Sequence, residues 1–333
     1  MRVIRDLDEL REPPASSVVT VGNFDGVHLA HQQLLRGVVE RARHLRAVGA
    51  AVTFEPHPTR VIAPERAPKL LTPLERKIRL IESLGIELLV VLPFTRELSC
   101  LSPPEFVRQV LTKRLHAAAV EVGPNFRFGH RQAGDVALLR ELARQEGFGL
   151  DVLPTVEMRG ERVSSSRIRE LLSEGRAHLA GRLLGRPFSV AGPIVTGIGV
   201  GQKQTVPTLN LAPYEEQLPK RGVYVTHTKL GGAIYESATN VGHKPTFGEH
   251  RLTVESYLLN FSGEIDSGEM EVGFLHRLRD EVKFPSPAAL KAQIQRDARR
   301  SVKFFRLLKL FRQRQIEGVT RTVGHRTTAT PET

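Results

Sequence analysis

The sequence of 333 residues predicts a doubly wound α/β domain followed by a smaller β-barrel domain. In the first half, short apolar runs alternate with amphipathic stretches of helical period, which is typical of a parallel sheet covered by helices. After about residue 185, short β-runs follow one another with Gly, Pro and Asp turns between them, a pattern typical of a small antiparallel barrel. An amphipathic helix predicted over 287–310 closes this second domain.

The first domain reads as alternating strands and helices. The predicted strands cover 18–21, 50–54, 87–92, 118–122 and 150–153, and the predicted helices cover 28–45, 73–84, 103–115, 135–145, 164–173 and 177–184. Thr72 is the expected cap of the helix at 73–84, and Gly85 its stop. Ligands of such sheets bind beyond the carboxyl ends of the strands. We therefore expect the segments 22–25, 55–58 and 123–127, which all follow strands, to converge.

The second domain is predicted from turn-bounded β-runs. They cover 188–195, 222–228, 233–241, 252–260 and 270–278. We expect the domains to span 1–184 and 185–315, and the polar end of the chain, 316–333, to be a flexible tail.

Composition restricts the functional classes. Hydrophobic residues make up 40% and charged residues 25%, as in a soluble globular protein. The sequence contains neither an apolar run long enough to span a bilayer nor a signal-peptide core, and its single cysteine, Cys100, fits a reducing cytoplasm. The net charge of +12 is compatible with a nucleic acid partner, with polyanionic small molecules such as nucleotides, or with solubility alone. Because the basic residues are scattered and aromatic residues are few, we expect no nucleic acid partner and no membrane partner.

The most informative segment is VTVGNFDGVHLAHQQLL at 19–35. An apolar strand leads into a glycine turn and then into a helix whose start carries His28 and His31, three residues apart and so on one face. A helix N-terminus directs free N–H groups and the positive end of its dipole at an anion. Two surface histidines on an ordinary amphipathic helix are the alternative. The strand and the glycines before them favour a phosphate site.

Three further segments carry candidate chemistry in the first domain. They are TFEPHP at 53–58, GPNFRFG at 123–129 and VSSSRIR at 163–169. The last one places hydroxyls at a helix N-terminus with Arg169 one turn further on. By itself this is equally an N-cap serine with a surface arginine. Beside the helix that starts at His28, it suggests two anion sites that face one triphosphate.

GNFDGVHLAH, GPNFRFG and SSSRIR resemble the corresponding motifs of the bacterial bifunctional riboflavin kinase/FMN adenylyltransferase (FAD synthetase) family. The resemblance covers roughly 18–312 and implies a Rossmann-like nucleotidyltransferase fold for the first domain. It implies that the phosphate of FMN attacks the α-phosphorus of ATP, giving FAD and releasing pyrophosphate. Because this nucleophile is already an anion, alignment and charge neutralisation suffice for catalysis.

The resemblance also implies roles for individual residues. His28 and His31 would contact the phosphates, and Gly22, Phe24 and Gly26 would form the backbone cradle. Asn125 and Arg127 would lie at the nucleotide and flavin face. The β,γ-phosphates would be held by Ser165, Ser166 and Arg169. Asp25 is left open, since it could meet the ligand or cap the helix. Ala30 stands where the family has a glycine against which the nucleotide lies.

In the second domain, a glycine-rich turn precedes PTLN at 207–210. Gly197, Gly199 and Gly201 can wrap phosphates with their N–H groups, although a simple β-turn is the commoner role and the Walker A pattern is missing. Thr208 and Asn210 offer two hard oxygen ligands suited to Mg²⁺.

PTLN, NVGHKPTF at 240–247 and the strand VESYLL at 254–259 resemble the kinase half of the same family. The resemblance implies transfer of the γ-phosphoryl group of ATP to riboflavin, with FMN as product. Glu255 is the implied base for the neutral hydroxyl of riboflavin, while an ion-pair role within the sheet is its ordinary alternative. Lys203 is the cation of an otherwise atypical loop, and Thr208 with Asn210 would hold Mg-ATP.

Two other functions stay open at the level of sequence. The chain could be an adenylyl- or cytidylyltransferase with another acceptor, its barrel serving as a substrate domain. It could also be a flavin-dependent regulator or an RNA-binding protein with degenerate sites. His28, His31, Ser166 and Glu255 disfavour the second alternative.

Overall fold

The computed structural model describes residues 1–195, 208–243, 252–263, 265 and 267–324. The chain forms two compact units that interleave in sequence. The first comprises Met1–Glu170, Arg182–Arg186 and Glu215–Gln217, and the second comprises Leu171–Gly181, Pro187–Tyr214 and Leu218–Thr333.

A parallel sheet of six strands forms the centre of the first unit. Its strands are β1 (Arg2–Ile4), β2 (Ser17–Val21), β3 (Val48–Glu55), β4 (Leu88–Pro93), β5 (Ala117–Val122) and β6 (Gly149–Val152). Its helices are α1 (Leu29–Leu45), α2 (Pro58–Ile62), α3 (Leu74–Glu82), α4 (Arg96–Cys100), α5 (Pro103–Phe106) and α6 (Val136–Glu146). Two further helices, α7 (Ser165–Ser173) and α8 (Ala177–Leu184), have residues in both units. A π-helical turn, Val107–Thr112, continues α5, and a two-stranded hairpin of β7 (Glu157–Met158) and β8 (Glu161–Arg162) precedes α7.

The sheet order is β1-β4-β3-β2-β5-β6, which confirms the predicted parallel α/β fold. Strand β2 is buried along its whole length, and its alternate residues belong to two cores, one on each face of the sheet. The connections run one way from β2 through β3 to β4 and the other way from β5 to β6, so the order reverses between β2 and β5. The loops after β3, β2 and β5 therefore lie side by side at one edge, as expected. Ligands of open α/β sheets bind at such a switch point.

Two local predictions in this unit need correction. Helix α3 begins after Pro73, whose side chain forms no cap, while the backbone N–H of Thr72 donates to Asp25. Thr72 is therefore not the helix cap, because the helix begins one residue later than predicted and Pro73 occupies the N-cap position. Strand β1 was not predicted, since three residues at a sheet edge give too short a pattern to recognise.

The second unit contains a closed antiparallel barrel, as predicted. Its strands are β9 (Phe188–Val195), β10 (Leu209–Leu211), β11 (Gly222–Leu230), β12 (Ala233–His243), β13 (Leu252–Leu258) and β14 (Glu269–Arg279), in the order β10-β13-β12-β11-β14-β9. Helix α9 (Pro287–Gly324) packs on the barrel through Phe305, which is buried against Val225 and Leu259. It continues past its predicted end at Leu310, because residues 311–317 contain neither Gly nor Pro.

Five buried hydroxyl groups form a closed ring inside the barrel. Around the ring, the neighbouring oxygen atoms of Thr226, Ser237, Thr228, Ser256 and Thr239 lie 2.6–3.0 Å apart. In a ring each hydroxyl can donate one hydrogen bond and accept another, so every buried donor is satisfied. Because Ser256 points inward, its strand neighbour Glu255 lies on the outer face of the barrel.

Candidate active sites

The loop after β2 has an unusual backbone. Phe24, Gly26 and Val27 have positive φ angles of 46°, 85° and 39°. A Cβ atom at Gly26 would lie 3.0 Å from Cδ1 of Leu71, so glycine suits both the conformation and the space. One at Gly22 would lie 3.2 Å from the ring of Phe24. The loop is thus held close to its neighbours immediately before α1.

His28 and His31 form a stacked pair at the start of α1. Their ring centroids are 3.6 Å apart. The rings of His31 and Phe24 pack edge to face, with a centroid distance of 5.3 Å. His28 caps the helix, because its Nδ1 accepts the backbone N–H of His31 at 3.4 Å. A neutral His28 therefore carries its proton on Nε2, as a hydrogen-bond donor. Helical spacing predicted that both rings lie on one face of α1, and in the structure they are stacked.

Both imidazoles are uncharged at neutral pH. Burial lowers the pKa of His28 to about 4, and the positive charges of Arg186 and Arg169 act in the same direction. Burial also lowers the pKa of His31 well below its usual range, as does the neighbouring His28. In the unliganded protein, the pair can donate hydrogen bonds to a phosphate but supplies no positive charge.

Asp25 does not cap α1, and its carboxylate is engaged in contacts within the protein. Its carboxylate is 2% exposed and accepts the backbone N–H groups of Leu71 at 3.0 Å and Thr72 at 3.1 Å. It also forms an ion pair with Arg169. The helix cap is His28 instead, because the carboxylate turns toward the segment before α3. Asp25 thereby joins the loop, α7 and that segment.

The start of α7 lies beside the same loop. The hydroxyl of Ser165 donates to the backbone oxygen of Asp25 at 2.9 Å, while the hydroxyl of Ser164 accepts the N–H of Arg167 at 3.2 Å. Ser166 is exposed. Ser165 and Arg169 thus both contact Asp25 of the loop. These contacts are within the protein and occupy the side chains that were predicted to hold phosphates.

The segment after β5 is more exposed. Asn125 is exposed, and the guanidinium of Arg127 lies 3.6 Å from the carboxylate of Asp135. The rings of Phe126 and Phe128 stack with a centroid distance of 5.4 Å. The topology brings this segment to the same sheet edge as His28, in agreement with the prediction.

Two residues at this sheet edge were assigned no role from the sequence. His57 caps α2 by accepting the N–H of Thr59 on Nδ1 at 3.3 Å, and burial lowers its pKa to about 4. Lys77 is 3% exposed, although it is a lysine in an ordinary amphipathic helix. A signal was available for Lys77, since it occupies the apolar stripe of α3 between Leu74 and Ile81.

A polar row crosses the outer face of the barrel. Glu255 on β13 pairs in register with Asn210 on β10 and with Asn240 on β12. Residues directly opposite on neighbouring strands project from the same face. Thr208 lies two residues before Asn210, whose amide nitrogen donates to the Thr208 carbonyl at 3.4 Å. The structure thus brings Glu255 and Asn210 together. Gly197, Gly199, Gly201 and Lys203 lie outside the described residues.

Two features are absent from the described part of the chain. Within it, no helix is both long and apolar enough to cross a bilayer. In the same ranges, no group of three or more His, Cys, Asp and Glu side chains is arranged to hold a metal ion.

The first unit thus has a parallel sheet with a histidine-capped helix at its switch point, and the second has a closed barrel with a carboxylate on its outer face. The sequence profile of FAD synthetase matches residues 10–167, and that of riboflavin kinase matches 184–305. The bifunctional riboflavin kinase/FMN adenylyltransferase of Pseudomonas fluorescens is 36% identical over 298 residues, which cover 89% of this chain and 96% of that protein. The Escherichia coli K12 enzyme of the same name is 33% identical over 311 residues, which cover 93% of this chain and 99% of that protein.

A solved structure shares the fold of this chain. The crystal structure of a macrolide-efflux protein from Streptococcus pneumoniae superposes with a TM-score of 0.80 at 28% identity, covering 89% of this chain and 96% of that one. The chain belongs to the bifunctional riboflavin kinase/FMN adenylyltransferase family. The predicted family, fold class and pair of enzymatic activities are confirmed.

Proposed function

We propose that the barrel phosphorylates riboflavin to FMN and that the switch-point site of the first unit converts FMN to FAD. In this proposal, residues 1–184 carry adenylyl transfer and residues 185–315 carry the kinase. ATP is the co-substrate of both reactions, while FMN is the product of one and the substrate of the other. The family supports the two activities, and the separate polar sites support the division of labour.

In adenylyl transfer, an oxygen atom of the FMN phosphate bonds to the α-phosphorus of ATP, and the bond from that phosphorus to the bridging oxygen breaks. Pyrophosphate leaves with the electron pair. The Nε2–H groups of His28 and His31 are the proposed donors to the reacting phosphates. The proposed backbone cradle consists of Gly22, Phe24 and Gly26, whose positive φ angles at 24 and 26 support close approach of a ligand.

The other phosphate and nucleotide contacts follow the family. Asn125 and Arg127 would face nucleotide and flavin, while Ser165, Ser166 and Arg169 would hold the β,γ-phosphates. Arg169 already pairs with Asp25, so a phosphate would share its guanidinium with that carboxylate. The exposed hydroxyl of Ser166 is the more accessible group at the start of α7.

In the kinase reaction, the 5′-hydroxyl oxygen of riboflavin bonds to the γ-phosphorus of ATP, and ADP leaves. Glu255 is the proposed base that takes the hydroxyl proton. Its place on the outer face, between Asn210 and Asn240, supports access to a substrate. Gly197, Gly199, Gly201 and Lys203 remain proposed contacts of ATP.

Mg²⁺ fits the residues near Glu255. Thr208 and Asn210 would hold it, and their oxygens together with phosphate oxygens are the hard ligands that Mg²⁺ prefers. The amide nitrogen of Asn210 donates to the Thr208 carbonyl, and its amide oxygen is the proposed ligating atom. When bound, the cation would neutralise charge on the phosphates of ATP.

The cellular setting is also part of the proposal. Riboflavin, FMN and ATP are the proposed small-molecule partners, and nucleic acid and membranes are not partners. A single cysteine in 333 residues supports a cytoplasmic location.

The stacked His28–His31 pair at the switch point is the observation that carries the adenylyl-transfer assignment. Incubation of the purified chain with riboflavin and Mg-ATP, followed by chromatography of the flavins, tests the whole proposal. We expect FMN to form first and FAD to follow. Unchanged riboflavin would contradict the kinase assignment, and FMN without FAD would contradict the adenylyl-transfer assignment.

A further inference from the structure

The cations around the switch-point site differ in how they are held. Arg169 pairs with Asp25, and Arg60 pairs with Glu216 at 2.6 Å. The guanidinium of Arg186 donates to the backbone oxygens of the loop and of the end of α8 at 2.6–3.2 Å. Each of these three side chains is fixed by hydrogen bonds within the protein. A phosphate would have to compete with those partners for their charge.

Lys77 is held differently. Its side chain projects from the buried stripe of α3 and is 3% exposed. No described residue forms a hydrogen bond or an ion pair with its amine, and the opposite charges that act on it are the carboxylates of Asp25 and Glu55. Its charge in turn acts on His31 and His57. The amine therefore lies among groups from the loops after β2 and β3 and from the start of α1.

The reaction needs a positive charge that the histidines do not supply. Both imidazoles of the stacked pair are neutral in the unliganded protein, so they contribute hydrogen bonds alone. The attacking and leaving phosphates are both anionic, and adenylyl transfer accelerates when their charge is neutralised at fixed positions. Among the described cations of the site, Lys77 alone is not bonded to another group.

We propose that Lys77 is a phosphate-binding residue of the adenylyl-transfer site, whose amine donates to the phosphates of the bound substrates. The proposal deepens the assignment of FAD synthesis to the switch point and rests on it. Burial lowers the pKa of Lys77, while the carboxylates of Asp25 and Glu55 act in the opposite direction. An arriving phosphate adds negative charge beside the amine and so stabilises its protonated form.

A purely structural role is the alternative, in which Lys77 only balances Asp25 and Glu55. The two roles predict different results for Lys77→Met, which keeps the length of the side chain and removes its charge. If the lysine is structural, the variant leaves carboxylates without a counter-charge and loses stability. If the lysine serves the substrates, the variant folds as well as the wild type, because an apolar side chain suits a buried stripe.

The test compares Lys77→Met with the control Arg79→Met, which removes an exposed charge from the same helix. FMN and FAD formation are measured separately from riboflavin and FMN with Mg-ATP, together with the melting temperature. We expect Lys77→Met to lower FAD formation on the order of 100-fold. FMN formation should be unchanged, and the melting temperature should stay within about 4 °C of the wild type. Arg79→Met should alter neither product.

A second variant tests the charge itself. Lys77→Arg keeps the positive charge and should retain at least about ten times the FAD formation of Lys77→Met. FAD formation by Lys77→Met near the wild-type rate would overturn the proposal, as would unfolding of that variant, or equal losses in both variants. A wild-type chain that makes FAD and a His28→Ala chain that does not would establish the site independently. Failure at Lys77 would then leave the assignment of the site intact.

Discussion

The two sites are built in opposite ways. The switch-point site is assembled from loops and helix starts, and its groups are buried: His28 is 4% exposed, Asp25 2% and Lys77 3%. The barrel site is a row on strands, set by register, with Asn210 and Asn240 on either side of Glu255. The first site excludes water around its titratable groups, and the second presents its carboxylate on an outer face.

This difference matches the two nucleophiles. FMN attacks with a phosphate that is already ionised, so its site needs donors and charge at fixed positions, which buried groups on rigid elements provide. Riboflavin attacks with a neutral hydroxyl, so its site needs a group that accepts a proton. Each candidate site therefore suits the charge of its proposed nucleophile.

The largest expected effect is at Glu255. Glu255→Gln removes the proposed base and keeps the size of the side chain, so FMN formation should fall on the order of 1,000-fold. Riboflavin binding, followed by flavin fluorescence, should change little. Glu269→Gln, an exposed glutamate on another barrel strand, is the control and should leave turnover unchanged. Near-normal turnover of Glu255→Gln would exclude this residue as the base.

His28→Ala should have the next largest effect. The variant loses a donor to the phosphates, and FAD formation should fall on the order of 100-fold, while FMN formation persists. His44→Ala, which removes an exposed histidine from the same helix, should leave both products unchanged. FMN formation is measured from riboflavin, and FAD formation is measured from added FMN. If His28→Ala lowers both to the same extent, the assignment to separate sites is wrong.

Acid should destabilise the first unit through its buried histidines. His28 has its ordinary pKa of 6.5 in the unfolded chain and about 4 in the folded protein. Between these values the unfolded state binds a proton that the folded state does not, so stability falls as the pH falls below 6.5 toward 4. Lowering the pH from 7 to 5 should cost about 2 kcal/mol at this residue.

Thermal melting of the wild type and of His28→Asn at both pH values measures this loss. Asn can replace the N-cap but does not titrate, so the variant should lose less stability on acidification than the wild type. Identical losses in the two proteins would show that His28 does not take up a proton on unfolding in this range.

Ala30→Gly should have the smallest effect. Ala30 lies in the first turn of α1, where the family has glycine. Removal of the methyl group should lower the KM for ATP in FAD formation about fivefold without changing kcat, since crowding by one extra methyl group costs about 1 kcal/mol. The same change should cost about 1 kcal/mol of helix stability. An unchanged KM, measured by pyrophosphate release, would show that the methyl group does not obstruct ATP.

The periodicity of the sequence sufficed for most of the fold. Strand β2 and helix α1 follow from an apolar run, a glycine turn and an amphipathic stretch, and the barrel follows from turn-bounded β-runs. Local patterns could not reveal what depends on distant partners. Asp25 binds backbone groups of residues 71 and 72 and pairs with Arg169, 144 residues away. A partner at that separation leaves no trace in the local sequence.

The residues of the candidate sites were predictable to different degrees. The face shared by His28 and His31 follows from helical spacing, whereas the pairing of Glu255 with Asn210 depends on a strand too short to recognise, β10. Lys77 could have been found as a lysine within an apolar stripe. The charged groups around its amine, Asp25 and Glu55, could not be predicted, because they depend on where separate segments of the chain meet.

The most direct test of two separate sites is a crossed assay of Glu255→Gln and His28→Ala, each supplied with Mg-ATP and either riboflavin or FMN. Chromatography of the flavins is the readout. We predict that Glu255→Gln leaves riboflavin unchanged but converts FMN to FAD, whereas His28→Ala converts riboflavin to FMN and stops there. If either folded variant fails with both substrates, or each keeps the activity assigned to the other's site, the account is contradicted.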